Sequence, residues 1–68
     1  MKYETYSVEL VMETKTIAIG IFKRENKAKE LLNLCERLLP NFSNEIKGAI
    51  LVGWNSTEQK TLFEIMRG

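Results

Sequence analysis

The chain contains no histidine and no aspartate, so all nine of its acidic residues are glutamates. That absence excludes serine–histidine–aspartate and cysteine–histidine constellations within one chain, histidine-based zinc sites, a histidine general base and an aspartate-rich calcium loop. A self-contained enzyme is not expected. The lone Cys35 can make no intrachain disulfide, and a thiolate zinc site needs about four ligands. With one proline and four glycines there is no Pro/Gly-rich linker, repeat or low-complexity tract. The longest wholly apolar run is Ala49 to Val52, far short of the ~20 residues a membrane helix needs. The opening MKYETYSVEL has no apolar signal core. These absences lead to the expectation of one domain over residues 1–68, without cofactor or metal, in a reducing cytoplasm.

What is present is balanced. Ten basic residues face nine acidic ones for a net charge of +1, and 44% of the 68 residues are hydrophobic. A domain of this size buries only about 60% of the surface its unfolded chain exposes, and its core supplies only ~3–5 kcal/mol. Self-association, as a homodimer or a higher oligomer, is therefore expected.

Tyr6, Val8, Leu10 and Met12 alternate with Ser7, Glu9 and Val11, the period-2 pattern of a half-buried strand, predicted over residues 4–12. Glu13 and Thr14 interrupt it, and residues 16–22 read as a second strand with Ile17, Ile19 and Ile21 on one side and Ala18, Gly20 and Phe22 on the other. The short spacing implies a hairpin. Ala28, Leu31, Leu32, Cys35, Leu38 and Leu39 then recur at three- and four-residue steps, predicting an amphipathic helix over 26–39 with Asn26 as N-cap and Pro40 as its stop.

The apolar run from Ile46 to Trp54 suits a central strand covered on both faces, with a short helix near Ser43 as an alternative. Ser56 with Gln59 matches a capping box, yet about two helical turns are too few to persist unaided, so residues 56–66 read as a strand. The expectation is an α+β, two-layer β-β-α-β-β domain, its one amphipathic helix packed on a small antiparallel or mixed sheet. Phe22, Ala18, Ala49, Leu51 and Phe63 are expected to make the sheet's other side apolar as well, which calls for a cover such as a second copy.

Three groups of side chains invite a functional reading. Cys35 lies on the apolar stripe of the helix without a local base, which makes it packing rather than a nucleophile. Lys23, Arg24 and Lys27, with Lys29, crowd the start of the helix, where unpaired N–H groups favour anions; these cations form a candidate anion site, unless they are a solvated edge with Lys27 paired to Glu30. Trp54, with Asn55 and Lys60 in the loop beyond it, offers a large aromatic at a strand end, the residue type that anchors interfaces, or else a lid over the core. Gly48 and Gly53 beside it would allow close approach of another chain. Tyr3 and Tyr6 with Lys2 give only a weak aromatic–basic pattern on a nearly neutral chain, so nucleic-acid binding ranks third. The glutamates have no spacing that pairs them for acid–base work.

In size and make-up the chain resembles the short accessory proteins of bacteria and their phages, some of which block host enzymes or defence systems. That resemblance and the missing catalytic groups lead to the expectation of a small non-enzymatic binding protein, a regulator or inhibitor docking on a larger protein through Trp54 and the loop from Asn55 to Lys60, or through an exposed strand edge. The alternative is a dimeric binder of a small anion such as a nucleotide, held by Lys23, Arg24 and Lys27.

Overall fold

The computed structural model describes residues 3–67; Lys2 lies outside them. Four strands and one helix follow in the order β1 (Thr5–Met12), β2 (Thr16–Phe22), α1 (Glu25–Leu38), β3 (Ile46–Trp54) and β4 (Gln59–Met66), with a 3-10 turn over Leu39–Asn41. All neighbours in the sheet are antiparallel, in the spatial order β2-β1-β3-β4. The sheet is thus antiparallel throughout and α1 packs on one face of it. Because β2 and β3 both flank β1, α1 crosses over β1 on its way between them.

The strand pairings assign each face. Val8 pairs with Leu51 and Leu10 with Ala49, and these residues face α1. Tyr6, Val8, Ala28, Leu32, Cys35, Ala49 and Leu51 form the buried core, with Val8 and Leu51 wholly inaccessible. The period of the apolar residues in α1 sets which of its sides meets the sheet, while Leu38 stays exposed. The opposite face bears no helix. There Ser7 lies between Ile21 and Val52, and Glu9 between Ala18 and Ile50.

A bulge alters the expected sidedness of β2. Glu9 pairs with Ala18 but Val8 with Gly20, so Ile19 is inserted between them. The insertion puts Ile17 opposite Leu10 on the helix side and Ile21 opposite Ser7 on the free side. The three isoleucines therefore do not share a face. Nor do Phe22, Ala49 and Leu51 supply the free face, as the sequence pattern implied, because all three belong to or pack against the core under α1; Ala18 alone of the five is shown there by its partner Glu9. The helix consequently covers β3 on one side only.

Local chemistry adjusts three boundaries. Arg24, with extended backbone and no side-chain cap bond, precedes the helix, two residues before the expected Asn26, and Glu25 in the first turn complements the positive end of the helix dipole. Pro40 fits within the 3-10 turn, whose tighter winding needs no N–H from it, and Ile46 N–H donates to Ser43 O in a turn where a short helix was the alternative. Asn55 Oδ1 accepts from the N–H groups of Thr57 and Glu58, both 2.9 Å, and this Asx turn joins β3 to β4 in place of the Ser56–Gln59 capping box.

Gly48 and Gly53 do mark close approaches, though to segments of the same chain. A Cβ at Gly48 would stand 2.3 Å from the Ile65 carbonyl oxygen, and one at Gly53 would meet the Tyr3 ring at 2.7 Å. At the chain's far end Arg67 Nη2 donates to the carbonyl of Leu39 at 2.8 Å and, at longer range, to those of Phe42 and Ser43. One guanidinium thereby ties the end of β4 to the connection after α1.

Candidate functional site

The helix-free face is mainly neutral. Going across it, β2 gives Thr16, Ala18 and Ile21, β1 gives Thr5, Ser7, Glu9 and Val11, β3 gives Ile50, Val52 and Trp54, and β4 gives Gln59, Thr61 and Glu64, as the pairings dictate. Trp54 lies here, 37% exposed, and is not a lid over the helix-side core.

Its indole is held. Trp54 Nε1 donates to Ser7 Oγ at 2.8 Å, and Ser7 Oγ donates to Glu9 Oε2 at 2.9 Å. Ser7 is only 3% exposed, so its hydroxyl is a buried group satisfied in both roles, and the chain of bonds polarises toward the carboxylate. The arrangement fixes the indole in one orientation. Thr5, Ser7, Glu9, Ala18, Ile21 and Trp54 enclose a recess of about 300 Å³. A second recess of about 400 Å³, lined by Glu9, Thr16, Ile50, Val52, Lys60 and Thr61 among others, begins at the same carboxylate.

The structure distributes the expected docking residues unequally. Trp54 lines the first recess and Lys60 the second, on either side of Glu9, whereas the Asn55 carboxamide oxygen is committed to its own turn. Of the expected anion-binding residues, Lys23 and Arg24 line a cleft of about 510 Å³ with Tyr3, Tyr6, Asn26 and the acidic Glu25, and Lys27 is not part of its lining. Tyr3 and Tyr6 meet there edge to face, with ring centroids 6.2 Å apart. The helix's ion pair is Lys29 to Glu25 at 3.5 Å, not Lys27 to Glu30, and both groups are nearly half exposed, so it contributes little. Lys29 Nζ also stands 4.5 Å from the Phe63 ring centroid on the helix side.

Comparison with known proteins returns nothing: no family model, no curated protein and no solved structure matches the chain. Among the described residues no helix is long and apolar enough to cross a membrane, and no cluster of potential ligands is placed to hold a metal ion.

Cys35 is buried at 3% exposure, and desolvation pushes its thiol above the ordinary value of 9.0. A raised thiol keeps the reactive thiolate scarce at neutral pH. Alkylation of native protein by iodoacetamide at pH 8 is expected to run at least about tenfold slower than that of a free cysteine peptide. A rate equal to the peptide's would show that Cys35 is accessible and ionised.

The residue that sequence reasoning missed is Glu9. It was one polar position in an alternating strand, and its importance comes from Trp54, which lies 47 positions beyond Ser7 in the chain.

Proposed function

We propose that this protein works by binding, as a regulator or inhibitor that docks on a larger protein along the β2 edge and the adjoining helix-free face. The observation that carries the reading is the difference between the two sheet edges. The β4 edge carries Lys60 and Glu64, charged side chains of the kind that discourage a further strand. The seven residues of the β2 edge, TIAIGIF, include no charge and no proline, and Ile17, Ile19 and Ile21 are 43%, 41% and 71% exposed.

An edge strand presents a row of unpaired N–H and C=O groups, and what satisfies such a row is another strand. A segment added beside β2 would bring alternate side chains onto the helix-free face next to Ala18 and Ile21, and so toward Trp54. The bulge at Ile19 sets the register such a segment must follow.

The test places a charge on the edge. Ile21→Lys is expected to abolish partner capture from the protein's own cells in native mass spectrometry, and at so exposed a position to change stability by less than about 0.5 kcal/mol. Equal capture of the same partner by wild type and Ile21→Lys would contradict docking at β2. A homodimer that Ile21→Lys turns into a monomer would name a second copy as the occupant of the edge.

The cleft that gathers Lys23 and Arg24 with two tyrosines at the start of α1 supports the alternative, a small anionic ligand. A nucleotide-sized mass that co-purifies with wild type and is lost in Arg24→Glu would establish it in place of docking.

A further inference from the structure

We infer that the recess between Glu9 and Trp54 accepts a cationic side chain, arginine or lysine, from the docked partner. The inference deepens the docking reading, on which it rests, by naming the chemistry of the residue that enters the helix-free face.

The charges on that face are complementary to such a residue. Glu9 occupies the middle of β1, between the two recesses; Lys60 lines the recess away from Trp54, but among the described residues no cation stands within ion-pair distance of Glu9 and none lines the recess it shares with Trp54. Ser7 engages Oε2 only, so a carboxylate oxygen is left for a donor from outside the chain. A half-buried glutamate without a cation is costly to desolvate further, and an apolar partner closing over it would incur that cost with nothing in return. A guanidinium or ammonium reverses the sign of this term.

The remaining walls suit the rest of such a side chain. Ala18 and Ile21 are apolar surfaces for an aliphatic stem, and the Trp54 ring, held by Ser7, is the best aromatic for a cation–π contact. A volume of about 300 Å³ lies at the lower limit of ligand pockets, roughly 300–1,000 Å³, so it matches one side chain better than a free cofactor. The recess is bordered on the β2 side by Ala18 and Ile21, next to which an added strand would place its side chains.

The experiment titrates Trp54 fluorescence, unique because the chain has a single tryptophan. The probes are two short extended peptides of threonine and valine, one with a central arginine and one with citrulline, which has the same shape without the charge. The arginine peptide is expected to bind about tenfold tighter, a preference that weakens with salt and disappears in Glu9→Gln. Equal affinities, or a preference that survives Glu9→Gln, would overturn the cation site while leaving strand addition intact. Binding of neither peptide would also overturn it, and partner capture that depends on Ile21 would then show that the docking reading survives without it. The citrulline comparison uses wild-type protein, so it decides the matter even if Glu9→Gln fails to fold.

Discussion

Trp54→Ala is expected to weaken partner binding at least about thirtyfold, the ~2 kcal/mol of an interface hot spot, while the protein remains folded by circular dichroism. Two features set the size of the effect. The ring lies on the helix-free face, apart from the cluster of Val8, Leu51 and Leu32 under α1, so its removal opens no cavity in that core. Its N–H bond to Ser7 holds it in one orientation, so the binding energy is not spent on ordering it. The stability loss should combine the ~1 kcal/mol of one hydrogen bond with the lost burial of a ring only 37% exposed, about 1–3 kcal/mol together, and Ser7 keeps Glu9 as its acceptor. Affinity measured by calorimetry on the captured partner, beside a melting curve of the variant, separates the two effects. An unfolded Trp54→Ala would make the ring a structural cover and remove it from the docking site.

Leu51→Ala is expected to be the opposite kind of change, one that removes the fold and binding with it. Leu51 is wholly buried, pairs with Val8 on one side and Phe63 on the other, and faces the helix. Truncation removes apolar contact and leaves a cavity, together about 2–5 kcal/mol. A chain of this length has a total stability of only ~3–10 kcal/mol at 0.05–0.15 kcal/mol per residue. Urea denaturation should therefore show a midpoint less than about half that of wild type, or no folded baseline at all. A midpoint within error of wild type would mean that the core is not organised around Leu51.

The contrast between these two residues shows how much of the molecule can be read from its sequence. Alternation over Tyr6 to Met12 and the three-and-four spacing from Ala28 to Leu39 correspond to local geometry, so β1 and α1 emerge within a residue or so of their true ends. The strand at β4 is legible from length, since only about two helical turns follow Glu58, too few to persist unaided. Sidedness in β2 was not legible. Its isoleucines keep a perfect period of two, and only the pairing with β1 reveals that Ile19 is bulged and that Ile21 has changed face. The Arg67 contacts left no signal either, because their acceptors are main-chain carbonyls 24 to 28 residues away, which any sequence provides.

The candidate site divides along the same line. A single tryptophan between a glycine and an asparagine stands out in any reading, and it lies on the helix-free face, where it lines a recess. Asn55 stands out too, but as a turn former, and the hydrogen bonds its Oδ1 accepts from Thr57 and Glu58 serve the hairpin. Glu9 and Ser7 become notable only when antiparallel pairing of β1 with β3 brings them beside Trp54.

The central claim is that a partner docks along β2, and amide hydrogen exchange tests it most directly. The protein recovered with its partner would be compared with the same chain produced alone, peptide by peptide. Docking at the edge predicts slower exchange over Thr16–Phe22 and around Trp54, with Gln59–Met66 and the exposed side of Glu25–Leu38 unchanged. Protection confined to β4 or to the Lys23–Asn26 cleft, or no protection anywhere, would contradict it.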